Sequence, residues 1–378
     1  MNKFFVVITS ISLMVSCATI DNKEISQSNI PIEERIAKTD RLLSGFEENE
    51  SLFGSILIKK DGEILYQKTL GYRDIVDGNP IYADNQTKYR IGSITKTYTS
   101  AMIHKAIEAK LLRHDTTLDT FFPLIQNAEK ITIQDMLYHR SGLYNITSIR
   151  FSNTQDMEQM YTSRHTRDDL LEMIYSLKHR RPNTRTEYSN TNYVLLGFIL
   201  EDLYQKPYQD LVKEMITDVI GLNNTSYAET ITSENNESRS FSFTDEKGYS
   251  PSMEANLSWA GGAGSLISTT EDLALFYEAL FNGTLLTKDS LEHMTALKYE
   301  LRAPKYELSR KVILGMGIWE VTFNGNRMFH HGGYIDDCSS IVLYDPNEKV
   351  TIVFIVNGSS IPYKGSITVL NRFVLKQW

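Results

Sequence analysis

Apolar positions first recur at helical spacing just after Pro31, at Ile32, Ile36, Leu43 and Phe46. This predicts an amphipathic helix opened by the proline. Two strand-like runs follow, Gly54–Lys59 and Glu63–Gly71, joined by the turn residues Asp61-Gly62, so they read as a β-hairpin. Ser93–Leu112 reads as a helix. From about residue 116 to 254, helical patterns alternate with polar loops. One example is Asn192–Tyr204, apolar at Tyr193, Leu196, Ile199, Leu200 and Leu203. Ser268-x-x-Glu271 has the form of a capping box and opens a helix that Gly283 ends. Strand patterns return at Val312–Val321, Ser339–Asp345 and Val350–Asn357, with Asp345-Pro346-Asn347 as the turn between the last two. A final helix is expected over Gly365–Gln377, apolar at Ile367, Leu370, Phe373 and Val374.

The order is therefore helix, strands, helical middle, strands, helix. Its simplest closure is an α/β (α+β) fold. Both chain ends, 31–115 and 255–378, build one antiparallel sheet flanked by helices, and 116–254 is inserted as a helical subdomain. A cleft between the two parts is the natural place for a site.

The N-terminus follows a different pattern. Lys3 precedes an apolar run, Phe4–Val15, long enough for a signal-peptide core and too short to span a bilayer. Met14-Val15-Ser16-Cys17 then resembles a bacterial lipobox. Residues 1–16 are expected to be a signal peptide, Cys17 the lipidated mature N-terminus, and 17–30 a polar tether to the membrane. The alternative is ordinary cleavage after Ala18. The second cysteine, Cys338, then has no partner for an intramolecular disulfide, and the fold stands on its core. A formal net charge of -8 argues against nucleic acid as a partner, because phosphate binding needs a basic face.

Three short patterns carry candidate chemistry. Ser93-Ile94-Thr95-Lys96 places a hydroxyl and an amine at i and i+3, on one face of a helix. A serine becomes a good nucleophile when a base takes its proton, and a lysine serves as that base once burial lowers its pKa. Such pairs are more often solvated helix surface. Tyr188-Ser189-Asn190 offers a phenol able to share a proton with a lysine, and an amide suited to a substrate amide. The simpler alternative is a structural tyrosine followed by a helix cap. His330-His331-Gly332-Gly333 precedes strand-like sequence, where adjacent side chains face opposite ways, so only one histidine enters a given cleft. The glycines permit close backbone approach. Amides near Ser93 and Tyr334 would form an oxyanion hole. There is no His-Glu-x-x-His and no cysteine cluster, so no metal site or cofactor is expected.

Together, and in this order, the three patterns resemble those of the serine β-lactamase-related family: class C β-lactamases, DD-peptidases and related esterases. That family carries Ser-x-x-Lys, Tyr-x-Asn and Lys-or-His-x-Gly. Tyr89–Lys96, Ile131–Leu143 with its Leu137-x-His139-x-Ser141-Gly142-Leu143 segment, Tyr188–Gly197 and Gly261–Phe276 fit as well, so the likeness runs from Phe53 to Asn357. The resemblance implies a β-lactamase/transpeptidase-like fold and acyl transfer from an amide or ester to water. It makes Ser93 the nucleophile, Lys96 its base, Tyr188 the proton-relay partner and Asn190 a substrate ligand, beside Gly333 and Tyr334. It puts His331 where most β-lactamases carry lysine, and leaves His139 structural. The expected partner is a small molecule or peptide, with cell-wall-derived substrates in view.

Two departures stand out. His331-Gly332-Gly333 lacks the permanent cation and the hydroxyl that a Lys-Thr-Gly strand offers a β-lactam carboxylate, which favours peptidase, D-amino-acid amidase or esterase activity. Asp336-Asp337-Cys338 stands where relatives often carry Pro-Gly-Phe, and two carboxylates at the cleft rim would repel anions. Two alternatives remain: a true class C-like β-lactamase, and a catalytically silent, surface-anchored binding protein on the same fold. Gly261-Gly262-Ala263-Gly264 lacks the Lys-Ser/Thr ending of a phosphate loop and reads as a turn near the cleft.

Overall fold

The structure, a computed structural model, describes residues 30–302, 311–323, 326–361, 374 and 378. The signal peptide, Cys17, nearly all of the tether and, apart from Val374, the final helix expected over Gly365–Gln377 lie outside the described residues.

The hairpin after the first helix forms as expected, from Leu52–Lys60 (β1) and Glu63–Leu70 (β2). Its turn residues Asp61 and Gly62 both have positive φ, the requirement of a two-residue type I′ turn. The C-terminal third supplies Tyr299–Arg302 (β3), Lys311–Leu314 (β4), Trp319–Phe323 (β5), Asn326–Ile335 (β6), Cys338–Asp345 (β7) and Val350–Ser359 (β8). The strands order as β3-β4-β5-β6-β7-β8-β1-β2, so the two ends of the chain meet where β1 pairs antiparallel with β8. A ribbon of Phe241–Thr244 and Gly248–Pro251 joins at Gly358, completing a ten-stranded sheet among the described residues.

Strand side chains alternate between faces, and the core divides accordingly. Ile56, Ile58, Ile352, Phe354 and Val356 pack with Leu43 of the first helix, Ile32–Glu48 (α1). Leu57, Val342, Val353 and Ile355 face the other way, into the core shared with Thr95–Glu108 (α2), Asn190–Tyr204 (α3) and Thr270–Phe281 (α4). The sheet is thus covered on both faces, and the expected mixed antiparallel architecture is the one found. No described helix is long and apolar enough to cross a membrane.

Several boundaries differ from the sequence pattern, each for a local reason. The run Val312–Val321 is two strands, broken between Leu314 and Trp319. Gly317 sits in the break with φ +72, and a Cβ there would stand 2.6 Å from Ser100 Cβ and 2.9 Å from the Lys96 carbonyl. The break exists because the chain leaves the sheet to seat against α2, where the Gly317 carbonyl accepts from Thr97 Oγ1 at 2.8 Å. The cap of α4 is Thr269, which accepts from the Asp272 amide at 3.1 Å, one position later than the Ser268–Glu271 pattern suggests. Ser93–Leu112 begins as a 3-10 turn, Gly92–Ile94, before α2 proper.

Candidate active site

The site forms where α2, α3 and β6 converge. Tyr89–Arg90 pairs with Leu266–Ser268 and delivers the chain to a tight turn at Gly92. Gly92 has φ +51, and a Cβ on it would lie 2.8 Å from the Tyr334 amide nitrogen. A glycine there lets the turn press against β6 with a left-handed backbone. Ser93 follows at once, and one helical turn later Lys96 stands with Nζ 2.9 Å from Ser93 Oγ. Tyr188, just before α3, donates its hydroxyl to the same Oγ at 2.8 Å.

Lys96 is fully buried and, among the described residues, has no carboxylate partner. It donates to the Ala263 carbonyl at 2.7 Å. Burial pushes its pKa well below that of an ordinary lysine, which favours the neutral amine. The Gly261–Ala263 turn, read from sequence only as a bend near the cleft, therefore supplies the fixed acceptor that orients Lys96.

Around Tyr188 a buried polar set fixes the phenol. His139 lies against its ring at 4.4 Å, in a left-handed conformation with φ +56. His139 Nδ1 accepts from the Ser189 amide at 3.2 Å and from Asn192 Nδ2 at 3.3 Å, and Asn192 is held in turn by Ser141 Oγ. Burial, then the nearby Lys96, lowers the His139 pKa to about 3. Asn190 begins α3. Its amide donates to Asn145 Oδ1 at 3.0 Å and its side chain donates to Thr147 Oγ1 at 3.1 Å.

The strand β6 closes the other side. His331 is fully buried rather than presented to the cleft opening. Its Nδ1 donates to the Gly332 carbonyl at 2.7 Å, and the Trp319 ring lies 4.6 Å away. Burial first, and Lys96 second, hold it well below an ordinary histidine pKa. The burial leaves His331 facing the interior beside Lys96 rather than the mouth of the cleft. Gly333 is pinned, because a Cβ would stand 2.0 Å from the Ile91 carbonyl, whereas a Cβ on Gly332 meets only Ser340 O at 3.5 Å. Tyr334 is 47% exposed at the rim, and its hydroxyl donates to Asp337 Oδ1 at 2.9 Å. Its backbone amide, pressed to Gly92, lies close to Ser93.

The hairpin tip also differs from expectation. Asp336 and Asp337, both at positive φ, are the central residues of a two-residue turn between β6 and β7. Asp336 is ion-paired with the buried Arg90 and accepts from the Ala255 amide at 2.9 Å, while Arg90 Nη2 donates to the Ala255 carbonyl at 2.8 Å. Burial raises the Asp336 carboxyl, with Arg90 opposing. Asp337 accepts from Ser252 Oγ at 2.8 Å. The two carboxylates are therefore structural partners, not a bare anionic rim. Sequence reasoning missed Arg90, Trp319 and Ala263. Arg90 stands within the segment Tyr89–Lys96, but nothing in the sequence names its partner.

The structure thus brings Ser93, Lys96 and Tyr188 into direct contact. His331, Gly333 and Tyr334 lie on β6 beside them, and Asn190 begins α3 two residues after Tyr188. Cys17 lies outside the described residues. Among the described residues no group of three His, Cys, Asp or Glu side chains is placed to hold a metal. A hydroxyl between a desolvated amine and a phenol is an arrangement that can move a proton off oxygen.

Protein flp of Staphylococcus aureus (strain NCTC 8325 / PS 47) is 26% identical over 318 residues, covering 81% of this chain. The chain spans 59% of the length of that relative. The D-amino acid amidase of Ochrobactrum anthropi SV3 superposes with a TM-score of 0.75 at 24% identity, over 92% of this chain and 98% of that one. A penicillin binding protein from Bacillus halodurans gives 0.70 at 21% identity, over 88% and 98%. These solved structures share the fold. The family described as Beta-lactamase matches residues 40–372, most of the chain, so the chain belongs to the Beta-lactamase family.

Proposed function

We propose that the protein is a serine hydrolase that works through an acyl-enzyme on D-amino-acid peptides, amides or esters. The observation that carries this is Lys96 Nζ, buried, without a counter-ion among the described residues, and 2.9 Å from Ser93 Oγ. A neutral amine so placed accepts the Ser93 proton as Oγ attacks the carbonyl carbon. The charge that develops on the carbonyl oxygen is met by the amides of Ser93 and Tyr334. The proton returns to the leaving amine or alcohol as the acyl bond breaks, with Tyr188 as relay. Water then attacks the ester on Ser93, by the same proton route in reverse. Asn190 holds the substrate amide. Neither metal nor cofactor enters this scheme.

The absence of a hydroxyl at Gly332 supports neutral amide or ester substrates over β-lactams. The N-terminal pattern supports export and lipid anchoring through Cys17, which places a bacterial cell-wall-derived peptide within reach of the site. Intact mass after incubation with a fluorophosphonate, and separately with a labelled penicillin, tests the chemistry. One adduct on the wild type and none on Ser93→Ala is expected, with turnover of any ester or amide falling by several orders of magnitude in the variant. Wild-type activity in Ser93→Ala would remove Ser93 as nucleophile.

A further inference from the structure

The turn that holds Lys96 also borders a second space. Gly261 and Gly262 line a cavity of about 350 Å³, enough for a small organic molecule. One face of α3 supplies a wall through Phe198 and Glu201, and Tyr208 and Tyr227 supply another. Neither Ser93 nor Lys96 lines it, so it is distinct from the cleft at the nucleophile. Its charges do not balance. Arg164 donates twice to Glu229, at 2.8 and 3.2 Å, and Arg167 donates twice to Asp202, at 2.6 and 2.7 Å. Each arginine is thereby matched by its own carboxylate, and Glu201 is left over. Its Oε1 accepts from the Tyr208 amide at 2.9 Å, but Oε2 stands 3.9 Å from Arg167 Nη1, beyond hydrogen-bonding distance. Burial raises this carboxyl, with the Tyr208 amide and Arg167 opposing. Beside it the Tyr208 and Tyr227 rings meet edge to face, with centroids 6.2 Å apart. A carboxylate oxygen that lacks an N–H partner, next to two aromatic rings, is the chemistry that receives an ammonium group.

From Glu201 a line of short contacts runs to the base. Thr99 Oγ1 lies 2.6 Å from the Gly262 carbonyl and 2.6 Å from the Tyr208 hydroxyl. A carbonyl only accepts and a threonine hydroxyl has one proton, so Thr99 donates to Gly262 and Tyr208 donates to Thr99. Gly262 is pressed against α3, because a Cβ on it would stand 2.7 Å from the Tyr193 carbonyl. The next residue, Ala263, accepts from Lys96 Nζ at 2.7 Å. Glu201, which holds the Tyr208 amide, thus heads a line through Tyr208, Thr99 and Gly262 to the fixed acceptor of Lys96.

We propose that this cavity binds a small ammonium ion with an apolar body, which donates its N–H to Glu201 Oε2, and that occupancy firms the line Tyr208–Thr99–Gly262 and so raises turnover at Lys96. Tyr208 and Thr99 are positioning residues in this scheme, since neither touches Ser93 or the substrate. The binding half rests on the cavity alone. The rate half rests on the acyl-enzyme reading above.

The probe is N,N-dimethylbenzylammonium, which keeps one N–H for Glu201 and, as a tertiary amine, cannot take an acyl group from Ser93. Benzyl alcohol is its neutral control. Calorimetry on Ser93→Ala reads binding, and p-nitrophenyl ester hydrolysis by wild type at about pH 8, where free imidazoles are neutral, reads coupling. The amine should bind roughly ten- to a hundredfold more tightly than the alcohol, and adding Glu201→Gln should erase that preference. At saturation it should raise wild-type kcat about fivefold, with KM within about twofold. Tyr208→Phe should still bind the amine but show no rise in kcat. Thermal melting confirms that each variant folds. Equal binding of amine and alcohol, undiminished binding in a folded Glu201→Gln, or an unchanged kcat at saturation would each overturn the proposal. So would a rise in KM alone, which marks occupation of the substrate cleft. If Glu201→Gln does not fold, the comparison of amine with alcohol decides. Failure of fluorophosphonate to acylate Ser93, with the amine still bound by Ser93→Ala, would sink the acyl-enzyme reading and the rate half while leaving the binding site standing.

Discussion

Replacing Arg90 by methionine isolates the contact that ties the hairpin tip to the nucleophile turn. Arg90 and Asp336 have side-chain exposures of 2% and 15%, and Arg90 also bonds the Ala255 carbonyl. Methionine keeps much of the volume but strands the carboxylate. Removing one partner of a buried pair typically costs about 3–5 kcal/mol, because the other charge is left uncompensated. For a chain of this size, at about 1–1.5 °C per kcal/mol, this lowers the melting midpoint by roughly 3–8 °C at pH 7. The loss should itself depend on pH. The Asp336 carboxyl is already raised above its ordinary value by burial, and without Arg90 it rises further. A group raised on folding contributes stability that is fully present below its unfolded pKa and lost as pH rises through its folded one. The deficit of Arg90→Met is therefore largest at neutral pH and shrinks as pH falls toward about 4. Adding Asp336→Asn to Arg90→Met should recover part of the neutral-pH loss. Thermal melts of the three proteins at pH 7 and pH 4.5, read as differences from wild type, decide it. A deficit under about 1 kcal/mol, or one unchanged between the two pH values, would refute the reasoning.

Gly333→Ala should destabilise the protein and abolish esterase activity, since its Cβ would stand 2.0 Å from the Ile91 carbonyl beside the nucleophile turn; a melt and an ester assay check it. The wild type should hydrolyse small p-nitrophenyl esters or D-amino-acid amides with higher kcat/KM than benzylpenicillin. Gly332→Thr, whose Cβ would meet only Ser340 O at 3.5 Å, should raise penicillin turnover relative to ester turnover, and steady-state kinetics on both substrates would show the opposite order if the protein were a β-lactamase. Cys17→Ser should move the protein from the detergent phase to the aqueous phase, because each buried acyl methylene contributes about 0.8 kcal/mol of anchoring; a mature N-terminus at Thr19 by mass spectrometry would show ordinary secretion instead.

Features governed by local chemistry were legible in the sequence. The apolar, β-branched runs of β1 and β8, the Asp61-Gly62 turn and the i, i+3 spacing of Ser93 and Lys96 each follow from neighbours a few residues apart. The meeting of Ser93, Lys96 and Tyr188 came from family likeness as much as from spacing. What stayed hidden depends on distant partners. The Lys96 acceptor is a backbone carbonyl, which no side chain announces. Asp336 reads as a surface charge until Arg90, 246 residues earlier, is placed beneath it. The two strands within Val312–Val321 look like one because each is apolar, and only the closeness of Gly317 to α2 explains the break. The burial of His331 likewise depends on Trp319, which strand pairing rather than sequence proximity brings over it.

The sheet's dependence on both ends of the chain has a consequence for synthesis. A nascent polypeptide exposes Ser93 and Lys96 long before β6 exists, and the Arg90–Asp336 clamp alone spans 246 residues. At about 5–20 residues per second, that interval lasts on the order of ten to fifty seconds. Throughout it, Ser93 faces no Tyr334 amide, β1 has no β8 to pair with, and one edge of the growing hairpin is open. The unfinished chain thus lacks the assembled site and is vulnerable to edge-to-edge association. A translating or translocating cell would have to shield that strand until the last residues of the sheet arrive.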